Sequence, residues 1–164
     1  MADRPNVLGD GEFDAEDPPG YRAAEVMHQG GNVGQAAGGR ELNVRTFVLP
    51  PGQSLCPYHY EYVEEWLLLL DGELDLRTPG GEEHLATGAL ACFPNGPEGA
   101  HKVTTPPGAD RPARFVMFSD AREPAVAVYP DSDKIGVFVP GRADNILVKR
   151  PAENAGYYDG ELDG

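Results

Sequence analysis

Two short stretches of the chain carry side chains that commonly bind metal ions. The first runs from His59 to Glu65 with the sequence HYEYVEE, and the second places His101 shortly after a proline–glycine turn. Imidazole nitrogens and carboxylate oxygens are typical protein ligands of divalent transition metals. On an extended strand, residues of equal parity point to one face, which groups His59, Glu61 and Glu65. The candidate metal ligands are therefore His59, Glu61, Glu65 and His101.

Two inward carboxylates on one strand face need a compensating charge. Burying them side by side costs free energy unless a cation offsets their repulsion, and a divalent ion does so directly. Two alternatives stay open at this point. Glu61 could stay off the metal and act as a catalytic general base, and Glu64 replaces Glu65 if the strand register slips by one residue.

Both stretches belong to longer motifs that resemble those of the cupin superfamily. The first motif reads Gly52, His59-x-Glu61, Glu65 and Gly72, and the second reads Gly88, Pro94-Asn95-Gly96 and His101. The two motifs occur in the family's order with a strand meander between them, over about residues 42–119. The chain also resembles a group of small single-domain bacterial cupins with a conserved barrel.

The chain departs from the family motifs at four places. Glu61 stands where the family has a second histidine, and Thr105 stands where it usually has an asparagine. One extra residue precedes His59, and two extra residues separate Gly96 from His101. With glutamate in place of histidine, a divalent ion and its ligands form a neutral site rather than a positive one, which stabilises a bound hydroxide less.

The resemblance implies an all-β protein, a double-stranded β-helix (cupin) barrel, with one divalent metal ion. The ligand set it implies is His59, Glu65 and His101, with Glu61 as the fourth ligand. Oxygen-rich donors favour Mn, Fe or Zn over Cu, with Ni as an alternative.

The elements that must position these residues are short strands. Leu42–Leu49 has the composition of a strand, and Asp71-Gly72 predicts a tight hairpin between Glu65–Leu70 and Glu73–Thr78. Further short apolar segments follow at regular spacing with Gly and Pro turns between them. This pattern predicts an all-β barrel over about residues 42–140 with little helix.

We interpret residues 1–40 as an acidic, Gly-rich N-terminal arm with room for one short strand, and residues 41–164 as a single barrel domain with a polar C-terminal tail. A long arm beside a sheet edge is a natural strand donor to a second copy. We therefore expect a homodimer.

The net charge restricts the binding partners we expect, and the cysteine content indicates the cellular compartment. The formal net charge is −14, so we expect no nucleic acid and no anionic membrane surface among them. No basic segment followed by an apolar stretch marks a secretory signal. The two cysteines, Cys56 and Cys92, form no C-x-x-C motif and fit a reducing, cytoplasmic compartment.

Three functions follow as expectations. The first is a metal-dependent enzyme, namely an oxygenase, decarboxylase, isomerase or lyase, that acts on a small polar molecule in the barrel. The second is a non-catalytic sensor or binding module with a structural metal. The third is an Fe(II)/2-oxoglutarate-type oxygenase, in which His59, Glu61 and His101 form the metal triad and Arg111 or Arg114 binds the cosubstrate.

Overall fold

The computed structural model describes residues 4–139, 145–150 and 155–157. This part of the chain is nearly all β, with one α-helical turn, α1 (Val33–Ala36), and two 3-10 turns, Pro97–Gly99 and Pro130–Ser132. The first seven strands are β1 (Gly11–Phe13), β2 (Ala24–His28), β3 (Gly31–Asn32), β4 (Leu42–Leu49), β5 (Tyr60–Glu61), β6 (Glu65–Asp71) and β7 (Glu73–Thr78). They are followed by β8 (Gly81–Ala86), β9 (Leu90–Phe93), β10 (Lys102–Thr104), β11 (Ala113–Asp120), β12 (Ala125–Tyr129), β13 (Lys134–Phe138) and β14 (Ile146–Lys149). None of the described helices is long and apolar enough to cross a membrane.

The strands form three antiparallel sheets. The largest has the order β1-β2-β4-β11-β6-β9, with β3 paired to β2. A second sheet has the order β10-β7-β8, and a third has the order β14-β13-β12-β5. The strand predicted over Leu42–Leu49 is confirmed as β4, and it pairs with β11 along its whole length.

The main core lies between the largest sheet and the β10-β7-β8 sheet. In β6, Leu67 and Leu69 are fully buried, while Trp66 before them is exposed and Leu68 between them is half-buried. Leu74 and Leu76 of β7 pack against them from the facing sheet. This period of two is what a strand with one buried face requires, and it forms the interior of the predicted barrel.

A second, smaller core lies under the β14-β13-β12-β5 sheet. Tyr58 and Tyr60 are buried there against Ala100 and Val128. The residues that flank His59 in sequence are therefore anchored on both sides. This anchoring fixes the backbone at the start of the first motif.

The predicted hairpin at Asp71-Gly72 is wrong. β6 pairs with β11 and β9, whereas β7 pairs with β8 and β10, so the two strands belong to different sheets. Gly72 has a φ of +82° and turns the chain from one sheet to the other. A glycine with this backbone conformation suits a sheet-to-sheet corner as well as a hairpin turn.

The N-terminal segment holds more regular structure than the single short strand expected for an arm. It contains β1, β2, β3 and α1, which begins at a capping box formed by Asn32 and Gln35. β2 pairs with β4 of its own chain, so the edge of β4 is already occupied. α1 lies directly on β4, because a Cβ at Gly34 would lie 2.8 Å from the backbone nitrogen of Val44.

Replacing the corner glycine should destabilise the fold more than replacing a glycine in open space. Gly72→Ala places a Cβ 2.9 Å from Cα of Ala113 in addition to the left-handed strain, whereas Gly88→Ala adds only that strain at a φ of +91°. We expect Gly88→Ala to lower the free energy of unfolding by about 1–2 kcal/mol. Gly72→Ala should lower it by about 1–3 kcal/mol more. Urea unfolding measures both, and equal losses would contradict the corner assignment.

Candidate metal centre

The two histidines are brought together by backbone pairing. The N–H of His59 donates to the carbonyl of His101 at 3.1 Å, and the N–H of His101 donates to the carbonyl of His59 at 2.8 Å. Residues directly opposite each other in an antiparallel pair present their side chains on the same face. The ring centroids of the two buried imidazoles consequently lie 4.8 Å apart.

Glu65 reaches this pair from the largest sheet. It is the first residue of β6 and pairs with Phe93 of β9, whose ring stacks on His101 with a centroid distance of 3.7 Å. A carboxylate oxygen of Glu65 lies 3.8 Å from Nε2 of His101. One ligand atom from each of His59, Glu65 and His101 lies within 4.8 Å of the other two, so the group could bind a metal ion.

Backbone carbonyls determine which imidazole nitrogen faces the centre. Nδ1–H of His59 donates to the carbonyl of Pro57 at 3.0 Å, and Nδ1–H of His101 donates to the carbonyl of Gly99 at 2.9 Å. A neutral imidazole carries one N–H, so each ring then keeps its lone pair at Nε2. Contacts of this kind orient metal-binding histidines, and both rings are oriented for a ligand role.

The longer loop before His101 has a structural role. It contains a 3-10 turn, Pro97–Gly99, whose last residue supplies the carbonyl that accepts Nδ1–H of His101. A Cβ at Gly99 would overlap the carbonyl oxygen of Pro94, so this position has room for glycine alone. The longer loop therefore keeps His101 in the site.

Burial sets the protonation states of the group. Burial, and then the neighbouring His59, lowers the pKa of His101 to about 4, and burial also lowers the pKa of His59. Burial, and then the charge of Glu61, raises the pKa of Glu65 to about 8. Both imidazoles are therefore neutral at neutral pH, and the carboxyl of Glu65 takes up a proton far more readily than an ordinary glutamate. A cation among them would favour the ionised carboxylate.

Glu61 lies outside the group of three. β5 ends at Glu61 and pairs with β12, while β6 begins at Glu65 in another sheet. The bend over residues 62–64 interrupts the strand, so the parity that grouped Glu61 with Glu65 does not continue across it. Glu61 instead lines a neighbouring cavity, where burial raises the pKa of its carboxyl.

Glu64 and the distal arginines also lie away from the group. Glu64 is exposed and accepts a hydrogen bond from Nε1 of Trp66 at 2.7 Å. Arg111 forms an ion pair with Asp71, and Arg114 donates to the carbonyl of Gly9 at 2.8 Å from the opposite end of β11. Neither arginine is placed to bind a cosubstrate at the metal group, so the 2-oxoglutarate alternative loses its support.

Two side chains beside the site were not assigned to it from the sequence. Sγ of Cys56 lies 3.5 Å from Nδ1 of His59, and the ring of Tyr129 stacks on His59 with a centroid distance of 5.8 Å. Burial, followed by the charges of Glu65 and Glu61, raises the pKa of Cys56 to about 12, so it remains a thiol. The contact of Tyr129 depends on the pairing of β5 with β12, for which the sequence carries no signal, whereas Cys56 lies only three residues before His59.

No protein-family model and no curated protein matches this chain. Among solved structures, a protein from Acidithiobacillus ferrooxidans that is provisionally assigned as a sugar phosphate isomerase has a TM-score of 0.72 and 21% identity, over 87% of this chain and 86% of its own. A sugar phosphate isomerase of the cupin superfamily from Silicibacter pomeroyi has a TM-score of 0.66 and 23% identity, over 82% and 81%. The polyketide cyclase RemF of Streptomyces resistomycificus has a TM-score of 0.56 and 21% identity, over 76% and 84%. These likenesses confirm the predicted barrel fold and do not extend to a reaction.

Removing the carbonyl support of His101 should weaken metal binding. Gly99→Ala forces the 3-10 turn away from Pro94 and moves the acceptor of Nδ1–H. Loss of such a supporting contact typically lowers metal affinity by about 10–100-fold. Gly108→Ala is the matched control, because its Cβ meets nothing within 4 Å. Competition with a chromophoric zinc chelator measures the affinity, and a folded Gly99→Ala protein with unchanged affinity would contradict the role of this turn.

Proposed function

We propose that this chain, which has the cupin fold, binds one divalent metal ion through His59, Glu65 and His101 and acts as an enzyme on a small polar molecule. The observation that carries the proposal is the convergence of two oriented imidazoles and one carboxylate from different sheets. Three protein ligands leave coordination positions for water or substrate, as catalytic sites require. The mixed nitrogen and oxygen donors favour Mn, Fe or Zn, with Ni as an alternative.

The chain's own residues supply the surroundings that such an ion needs. A bound divalent ion polarises a substrate oxygen or acidifies a bound water. Phe93 stacks on one face of His101 and excludes water from it, and the carbonyls of Pro57 and Gly99 hold the two rings. Glu61 lines the adjoining cavity without joining the three ligands, so we propose it as the group that accepts or returns a substrate proton.

Among the reactions expected from the sequence, we favour an isomerase. Two of the similar structures are assigned as sugar phosphate isomerases. Isomerisation moves a proton within one molecule, and it needs an electrophile and a nearby acid–base group. The proposed ion and Glu61 would meet these two needs in one site.

Metal binding should stabilise the folded protein, and it should depend on the two histidines. At a zinc concentration 100 times its dissociation constant, the free energy of unfolding should rise by about 2.7 kcal/mol. His59→Ala and His101→Ala should abolish this rise, because each removes an Nε2 ligand. Thermal unfolding with and without zinc, together with metal content after dialysis, measures the effect.

His84 provides a matched control for these variants. It is an exposed histidine on β8 that contacts Glu73 and Asp75, but it lies outside the proposed site. His84→Ala and Glu61→Gln should both keep the zinc-dependent rise. A rise that survives in His59→Ala and disappears in His84→Ala would place the metal elsewhere, and its loss in Glu61→Gln would make Glu61 the fourth ligand.

The outer face of the largest sheet also supports the expected homodimer, which we propose as the solution state. Trp66, Leu68 and Leu90 lie side by side on this face across β6 and β9, and Leu90 is 61% exposed. The three side chains of this patch are uncharged, and the carboxylate of Glu64 lies beside Trp66. Two acidic chains could therefore meet over the leucines with little direct repulsion. β9 is the edge strand of its sheet among the described residues, and such edges pair readily.

Light scattering at micromolar concentration should give twice the 17.6 kDa mass of one chain. Leu90→Lys should produce monomers, because in a two-fold interface the new charge would be buried on both partners. Leu147→Lys is the control, since Leu147 is 52% exposed on a different sheet. A monomeric mass for the unaltered protein, or dissociation by Leu147→Lys alone, would contradict this interface.

A further inference from the structure

A cavity of about 180 Å³ opens at the end of the barrel where β4 begins and β11 ends. Its lining includes Asn43, Glu61 and Ser119, together with Gln35 and Arg40 from the N-terminal segment. A small organic molecule fits in a cavity of this size.

The strand register connects this cavity to the metal group. Ser119 of β11 pairs with Asn43 of β4 on one side and with Glu65 of β6 on the other. Residues directly opposite in antiparallel strands share a face. Ser119 also has the parity of the core residues Phe115 and Met117. Asn43, Ser119 and Glu65 thus form one row across the inner face, and the row ends at the proposed metal ligand.

The side chains of Asn43 and Ser119 have hydrogen-bonding groups available to a ligand. Neither Asn43 nor Ser119 makes a side-chain hydrogen bond to any residue that the structure describes, and both are half-buried. An asparagine amide has two donors and one acceptor oxygen, and a serine hydroxyl has one donor and two lone pairs. Half-buried groups of this kind are satisfied by water or by a ligand in the cavity.

The side of the cavity formed by the N-terminal segment is fixed by contacts of α1. Gln35 takes part in the capping box of α1, with its backbone N–H donating to Asn32 Oδ1 at 2.9 Å. Gly34 lets α1 pack directly against β4. The N-terminal segment is therefore a fixed side of the cavity.

The charges around the cavity do not favour an anionic ligand. Its lining contains two arginines and three carboxylates, and Nε of Arg122 is already paired with Asp120 at 2.6 Å. Glu61 and Glu123 outnumber the remaining Arg40, and the whole chain carries a net charge of −14. Attraction of a phosphate or carboxylate is consequently weak, whereas hydroxyl groups meet amide, hydroxyl and carboxylate partners.

We propose that this cavity is the substrate pocket, that it takes an uncharged polyhydroxylated molecule of the size of a small sugar or polyol, and that Asn43 and Ser119 bind its hydroxyls. The inference extends the proposed function, because the row of binding groups ends at Glu65. It names the substrate class and two specificity residues for that site.

The test uses the full-length protein labelled with ¹⁵N and loaded with zinc. D-Ribose, D-xylose and xylitol are titrated separately in the millimolar range, and D-ribose 5-phosphate serves as the charged counterpart. We expect at least one uncharged probe to shift the amide signals of Asn43 and Ser119, and the phosphate to bind no more tightly than D-ribose. Asn43→Ala and Ser119→Ala should each weaken binding about 2–10-fold, the effect of one neutral hydrogen bond. Ser132→Ala, an exposed residue outside the cavity lining, should leave it unchanged.

The outcomes separate this inference from the metal proposal. Saturable shifts at the cavity in a protein that fails to bind zinc would support the pocket and refute the metal site. Zinc binding with no shift from any of the three uncharged probes would overturn the pocket assignment. Binding of D-ribose 5-phosphate more than about tenfold tighter than D-ribose would overturn the uncharged class, since charge would then supply over 1.4 kcal/mol of the affinity.

Discussion

The two backbone hydrogen bonds between His59 and His101 are the constraint on which the site depends. They bring two distant segments into register, and they place two imidazoles on one face. The loops on either side then contribute a carbonyl to each Nδ1–H, so ring orientation follows from backbone conformation. Glu65 needs only the ordinary pairing of β6 with β9 to complete the group. A small number of main-chain contacts thereby positions three side chains that lie up to 42 residues apart in sequence.

Burial of His59, Glu65 and His101 makes the charged forms of these side chains unfavourable when no cation is bound. Two neutral imidazoles and a protonated carboxyl are the state that burial favours, as the lowered pKa of His101 and the raised pKa of Glu65 show. A divalent ion reverses this balance, because it interacts with the lone pairs and the ionised carboxylate together. The second carboxylate, Glu61, lies on another sheet beside the cavity, and its charge contributes to the raised pKa of Glu65. Its position outside the group of three permits a role different from that of Glu65.

Motif spacing was sufficient to predict the barrel and the grouping of His59, Glu65 and His101, and composition was sufficient to predict the bounds of β4. The hairpin at Asp71-Gly72 was predicted wrongly, because a glycine turn specifies a change of direction and not the partner of the next strand. The expectation for Glu61 assumed one continuous strand, and residues 62–64 contain no glycine or proline to reveal the bend. Strand register places Asn43 and Ser119 in one row with Glu65, and a single sequence does not specify this register. The stacking of Phe93 on His101 was likewise not accessible from the sequence. A long-range contact was accessible where the two motifs contain both partners, as for His59 and His101, and contacts outside the motifs were not.

A crystal structure of the zinc-loaded protein, with anomalous data at the zinc absorption edge, tests the central claim most directly. The account predicts one ion per chain, bonded to Nε2 of His59, Nε2 of His101 and a carboxylate oxygen of Glu65. The bonds should be about 2.0–2.2 Å long, as in other protein zinc sites. An anomalous peak at His84 with Glu73 and Asp75, or a folded protein with no peak between His59 and His101, would contradict it.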